Sequence, residues 1–429
     1  MGDARQVIAG RPDGHRLPAL GSRDFRIFLA VQAVSLIGTW MQGTALPLFA
    51  YRLTGDAGDL GVVGAAQYVP LLGLTLPAGI VVERIAKRRA VIGCQITMML
   101  QAIVLSLLAY GDRASVMTLA ALSFVLGSAN AVEGVARQSM LVELVGKEAL
   151  PNAVALNAAV INLARVLGPL IAIPVVTTWG EQAAFLVNAG SYGVVIAGLI
   201  VLRTPYAIPR VPRTSLRSSV GELLGYLRGA RTARAILGMA AVIGFVGIPL
   251  LNLLPAFTHD AFGGTDAELA TDTSVLVAAM GGGSVAAAIG LAALRKQHGR
   301  GAILWWGQLV FGLALLLFSR TDNLPLAASL VFLVGLGSIV QIALINTILQ
   351  LVVPDRLRSR IVSLFVLSAY GPAALGSLVW GAIAERFDTP AACGAAALVF
   401  LAGVVVLHRA VPAVRARPIT PDEGHTNHG

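Results

Sequence analysis

The sequence predicts an all-α membrane protein of twelve spanning helices in two six-helix bundles, and three observations lead there. Composition is the first: of 429 residues, 56% are hydrophobic even without the 47 glycines, and only 13% are charged, about half the roughly 25% of a soluble chain. A water-facing surface needs the missing charge, so a mean hydropathy of +0.78 places most of the surface in hydrocarbon. Spacing is the second, because twelve apolar stretches each approach the ~20 residues that cross a bilayer. Charge placement is the third: 27 of the 32 lysines and arginines fall in the two tails and in alternate connections, and only Arg52, Arg113, Arg320 and Arg386 lie in the others. Cytoplasmic connections carry that excess, so both termini are expected in the cytoplasm, with the chain in the cell membrane.

The stretches follow in order. Residues 25–50 come after a tail with Arg5, Arg11, Arg16 and Arg23; the run is too long for a signal-peptide core and lacks a small-residue cleavage pattern, so it reads as a retained first span. Residues 60–82 and 90–110 are joined by a basic turn, 115–136 and 153–176 by the segment 137–147, and 182–202 closes the first set. The polar segment 203–234, the longest between spans, precedes 235–256, 274–294, 301–318, 325–349, 361–384 and 390–409. The organisation is therefore a tail (1–24), a first bundle (25–202), a linker (203–234), a second bundle (235–409) and a tail (410–429). Within the linker, Leu216, Val220, Leu223, Leu224 and Leu227 recur at helical spacing among arginines. Ser219 and Glu222 fit a capping box. A solvated basic linker and an amphipathic helix at the membrane surface are both open, and the spacing favours the helix.

Self-similarity at an offset of about 207 to 208 residues supports two related halves. Leu46-Pro47-Leu48-Phe49 pairs with Leu254-Pro255-Ala256-Phe257, and Leu167-Gly168-Pro169-Leu170 with Leu375-Gly376-Ser377-Leu378. Halves related by an axis along the membrane normal would hold a path between them.

Most chemistry is excluded. The net charge of +10 follows topology rather than one patch, which removes a nucleic-acid partner. Cys94 and Cys393 lie in apolar segments and form neither a disulfide framework nor a CxxC pair. The six histidines fall in tails, loops or at a helix end, and no hydrolase, zinc or phosphate-loop motif occurs. Gly281-Gly282-Gly283 has no preceding strand and no following Lys-Ser/Thr, and reads as close helix approach or bending. No enzyme, cofactor or metal is expected.

What remains is polarity inside the bilayer, which is costly and so marks candidate sites. Arg165 stands twelve positions into the fifth stretch, roughly 18 Å along it at about 1.5 Å per residue. Asn162 and Asn157 precede it on the same helical face. That stripe either lines a path or ends in a structural arginine satisfied by carbonyls or a carboxylate. Glu133 lies about a turn from the cytoplasmic end of the fourth stretch, four residues before Arg137; either the pair holds it ionised and structural, or burial makes it a proton carrier. Gln42, Gln67, Asn252, Gln341, Asn346 and Tyr370 are further candidates for the path, or else helix–helix hydrogen bonds.

The turn after the second stretch reads Gly79-Ile80-Val81-Val82-Glu83-Arg84-Ile85-Ala86-Lys87-Arg88-Arg89, an acid beside a run of cations suited to latching and releasing helix ends. It resembles the signature loop of the major facilitator superfamily, with Glu83 where Asp is usual and Ala86 where Gly or Asp is common. The resemblance implies a gate between halves in which Gly79, Glu83, Arg84, Lys87 and Arg88 take part. Ser22-Arg23-Asp24-Phe25-Arg26, Gly38-Thr39-Trp40-Met41-Gln42, Leu150-Pro151-Asn152-Ala153, Asn162 through Pro169 and Leu349 through Pro354 are together similar to the transmembrane secretion effectors, the branch that includes the enterobactin exporter. Gly168-Pro169 also resembles the antiporter motif of the fifth span, with Ala164 and Ala172 where flanking glycines are expected.

The resemblance implies a major facilitator fold, a monomer, and a secondary transporter that exports a small organic molecule, a drug, siderophore or secondary metabolite, by alternating access and proton antiport. Arg165 at the path hints at an anionic cargo. An importer or uniporter on the same scaffold is the alternative, favoured by the scarcity of intramembrane carboxylates. A receptor or assembly scaffold would want a larger soluble part than tails of about 24 and 20 residues.

Overall fold

The computed structural model describes residues 18–84, 86–111, 113–202, 216–293, 299–354 and 357–411, with the side chains of α2 described as far as residue 74. The distal parts of both tails and residues 203–215 of the expected linker lie outside the described residues. After a short 3-10 turn at Pro18–Gly21, the described residues form α1 (Arg23–Thr54), α2 (Ala57–Arg84), α3 (Lys87–Tyr110), α4 (Val116–Trp179), α5 (Glu181–Val201), α6 (Leu216–Gly229), α7 (Arg231–Phe262), α8 (Asp266–Ala293), α9 (Arg300–Phe318), α10 (Leu324–Val352), α11 (Arg358–Arg386) and α12 (Thr389–Ala410). α4 holds two spans, Val116–Gly146 and Glu148–Trp179, so twelve segments among the described residues are long and apolar enough to cross a membrane. No strand occurs among the described residues. In hydrocarbon, helices satisfy every backbone donor and acceptor internally, which is why so apolar a chain resolves into little else.

Local chemistry sets the ends. Ser22 caps α1 by accepting from the Phe25 amide, Ser115 caps α4 through Thr118, Asn323 caps α10 through Leu326, and Asp388 caps α12 through Ala391; each satisfies an amide that the first helical turn leaves free. Gly146 breaks α4 with φ +72° and ψ 173°, a conformation open to glycine at little cost. The segment 137–147, expected as a loop, is thus helical up to Gly146. The apolar window marks where hydrocarbon ends, whereas backbone hydrogen bonding continues past it. In the same way helix extends into the basic segment from both sides, α2 ending at Arg84 and α3 starting at Lys87.

α6 begins at Leu216. Ser219 therefore lies inside it and does not serve as the N-cap of the expected capping box, because helical backbone already runs through the three residues before it.

Helices α1–α5 pack among themselves, as do α7–α12, and the two sets meet mainly where α2 runs along α11 and where the second arm of α4 runs along α8. The repeated segments land in matching places: Leu46, Phe49, Leu254 and Phe257 are all buried in one core cluster, with Pro47 and Pro255 inside α1 and α7.

Candidate functional site

One cavity lies between the sets of helices, and a second sits in the first set with Asn252 of α7 closing it. The larger, about 140 Å³, is lined from one side by Trp40 of α1, Tyr68 of α2 and Arg165 of α4, and from the other by residues of α7, α8, α10 and α11 that include Met280, Ser338 and Tyr370. The smaller, about 60 Å³, is more polar for its size and is lined by Thr39, Gln42, Gln67, Asn130 and Asn252 among others.

Close helix approach builds the first cavity. A β-carbon on Gly168 would stand 3.0 Å from both the Ile37 carbonyl and the Met41 amide, so only glycine lets α4 lie this near α1. That approach brings Trp40 beside Arg165, whose guanidinium carbon sits 4.9 Å from the indole ring centre, within cation–π range. From the opposite half, Gly281 lies against the Arg165 backbone, where a β-carbon would come within 2.8 Å of the carbonyl oxygen. The glycine run of α8 thus serves close packing. Arg165 Nε is buried and has no hydrogen-bond partner.

Of the residues singled out from the sequence, Arg165 and Tyr370 line the larger cavity, and Gln42, Gln67 and Asn252 line the smaller. Gln42 is also the hub of a buried chain: it donates to Gln101 at 3.3 Å and accepts from Asn188 at 2.8 Å, and Asn188 accepts from Ser191 at 3.0 Å. Such bonds tie spans together where apolar attraction between helices is absent. The remaining four lie elsewhere. Asn157 accepts from Gln32 at 2.8 Å, Asn346 accepts from Gln350 one turn on at 3.0 Å, Gln341 is fully buried with neither amide atom partnered, and Asn162 is half-buried on α4.

Glu133 is buried, pairs with Arg137 and accepts from Gln95 at 2.5 Å. Gly79, Glu83 and Arg84 close α2, beyond its described side chains. Lys87 pairs with Glu143, and Arg88 donates to the Ile200 carbonyl at 2.6 Å and the Leu202 carbonyl at 3.3 Å, so both anchor to the first half. Pro169 is buried one residue beyond Gly168.

Trp40, Tyr68 and Gln95 escaped sequence reasoning. Trp40 lies within Gly38-Thr39-Trp40-Met41-Gln42 and Tyr68 follows Gln67, but which face of a span fronts a cavity is decided by its neighbours.

The two halves interlock on the side of the turns at 55–56, 263–265 and 387–388. A β-carbon on Gly61 would stand 2.5 Å from the Ser377 carbonyl, and one on Gly381 would stand 2.8 Å from the Gly61 α-carbon. Nearby, Tyr51 of α1 meets His259 of α7 edge to face, with ring centres 5.4 Å apart.

A family model described as transmembrane secretion effector matches residues 16–427. The chain belongs to that family, within the major facilitator superfamily. As a transmembrane secretion effector it is a multi-pass membrane transporter and not an enzyme. Among its relatives, the multidrug efflux pump Tap of Mycolicibacterium fortuitum is 28% identical over 376 residues, which is 85% of this chain and 90% of that protein. The staphyloferrin A transporter of Staphylococcus aureus (strain NCTC 8325 / PS 47) is 25% identical over 366 residues, 84% and 90% respectively. Of solved structures, an inward-facing, occupied bacterial homologue of the human lysosomal transporter Spinster superposes with a TM-score of 0.71 at 15% identity, covering 93% of this chain and all of that one. The nucleoside transporter NupG gives 0.72 at 13% identity, covering 92% of this chain and 100% of its own. At these identities the two structures speak to the fold.

Proposed function

We propose that this transmembrane secretion effector exports a small organic molecule from the cytoplasm by alternating access, in exchange for protons. One observation carries the reading: the larger cavity draws its walls from both halves, which meet closely beside it at Gly61–Gly381 and at Arg165–Gly281. Two bodies that rock about such a cavity expose it to each side in turn. Relatives named as efflux pumps support the outward direction, and the distribution of lysine and arginine supports cytoplasmic termini.

In this reading Arg165 and Tyr370, joined by Trp40 and Tyr68, contact cargo. Asn157 and Asn162 continue a polar stripe from the end of α4's second arm towards Arg165. Gln42, Gln67 and Asn252 hydrate the smaller chamber beside it. Glu133 carries the proton, exchanging its pairing with Arg137 for protonation in the other access state. Lys87 and Arg88 anchor the basic turn to the first half so that Glu83 and Arg84, one turn beyond Gly79, gate against the second. Gly168 and Pro169 keep α4 seated against α1 and the path sealed against proton leak.

The test is transport in proteoliposomes loaded with candidate compounds, with a pH gradient imposed. Gradient-driven accumulation that dissipating the gradient abolishes is the expected result. Flux indifferent to the gradient sinks the coupling and favours a uniporter; flux running only inward sinks export.

A further inference from the structure

We infer that the larger cavity selects an organic anion bearing an aromatic ring, with its negative group held by Arg165. The inference rests on the reading that cargo occupies this cavity. A guanidinium within the bilayer is costly unless compensated. Three other partly buried cations have a carboxylate at hand, Arg137 with Glu133, Arg52 with Glu181 and Lys87 with Glu143, and Arg88 is held by the Ile200 and Leu202 carbonyls. Arg165 has none among the described residues, its buried Nε is left without an acceptor, and no aspartate or glutamate lines the cavity. The Trp40 ring steadies the guanidinium from one side but supplies no hydrogen-bond acceptor for it. The anionic partner is therefore missing among the described residues, at a point facing a space between the halves.

The rest of the wall states the other requirement. Tyr68, Tyr370, Met280, Ile243 and Leu251 present aromatic and apolar surface, and about 140 Å³ is close to the ~150 Å³ cavity that accepts benzene. One ring fits the enclosed part. A cationic cargo would bring a second positive charge beside Arg165 with no carboxylate between them, which discriminates against it.

Three ring-matched probes test this by calorimetric titration of the full chain in nanodiscs: benzenesulfonate, benzenesulfonamide and phenyltrimethylammonium. The expected order is sulfonate, then sulfonamide, then ammonium, with about a tenfold or greater gap between first and last, as a charge-assisted hydrogen bond would give. Arg165→Gln should close that gap and Arg165→Lys should preserve its sign. Tyr68→Leu should weaken all three together. Should Arg165→Gln fail to fold, the order in the wild type and in Arg165→Lys still decides. Phenyltrimethylammonium binding as tightly as benzenesulfonate, or a gap that survives in folded Arg165→Gln, overturns the inference. The same probes in proteoliposomes separate it from the transport reading. If the cation moves uphill and the anion does not, the anion preference falls while export stands. If benzenesulfonate binds in the expected order yet is never carried, export falls while the anion site stands.

Discussion

The backbone of Arg165 and that of Gly281 touch across the two halves, with room for a hydrogen on Gly281 but none for a methyl: a β-carbon would stand 2.8 Å from the arginine carbonyl oxygen and 3.1 Å from its carbon. The atom it would meet is backbone, which cannot swing aside. Gly281→Ala is therefore predicted to force α8 and α4 apart, to lower stability by about 1–3 kcal/mol and to reduce transport. Gly282→Ala serves as the control, since its β-carbon meets only the Phe332 ring at 3.6 Å. Equal melting temperatures and equal flux for the two variants would remove this contact from the mechanism.

Gly168 does for α1 what Gly281 does for α8. Gly168→Ala should displace Trp40 from beneath the Arg165 guanidinium and weaken cargo binding with the charge still present, whereas Gly190→Ala, at a position with open space around it, should be silent. Intrinsic tryptophan fluorescence reports the displacement directly. An unchanged spectrum together with unchanged binding in Gly168→Ala would count against the packing argument.

Glu133 separates proton coupling from structure. In Glu133→Gln the chain should still exchange cargo between equal compartments but lose accumulation driven by a pH gradient. Arg137→Leu instead leaves a buried carboxylate without its cation, and breaking such a pair costs about 3–5 kcal/mol where it is fully buried. That figure is an upper bound here, because the Arg137 side chain is 20% exposed. Gradient-driven accumulation at the wild-type rate in Glu133→Gln would assign the residue to structure alone.

The Gly61–Gly381 interlock is predicted to be the part that opens. Gly381→Val should prevent the halves from closing on that side and trap the opposite access state. Spin labels on cysteines introduced at Thr54 and Phe387 should then report a longer separation than in the parent chain. Both native cysteines, Cys94 and Cys393, are buried, so background labelling is small. Identical distance distributions with and without the valine would rule out this contact as a gate.

How much was legible in advance can be read from particular residues. All twelve spans follow from apolar run length, and the helices α1 (Arg23–Thr54) and α10 (Leu324–Val352) differ from the expected 25–50 and 325–349 only by the turns that project beyond hydrocarbon. Arg165 stood out because a charge in an apolar run is anomalous by itself. Glu133 with Arg137 was legible as a pair because four residues along a helix return to the same face. Trp40 and Tyr68 were not, since an aromatic residue in a span is ordinary. Gln341 and Asn346 were as conspicuous in sequence as Gln42, yet they lie away from both cavities.

By itself, then, the sequence determined the solvent, the number of spans and the polar residues too costly to be incidental, because transfer of side chains into hydrocarbon is a local, nearly additive property of a run. The fold's packing alone decided which of those residues meet. Whether Arg165 finds a carboxylate, lies over Trp40 or faces a cavity depends on how closely α1 and α8 approach α4, and that distance is set by glycines on separate helices whose meeting no single stretch of chain encodes.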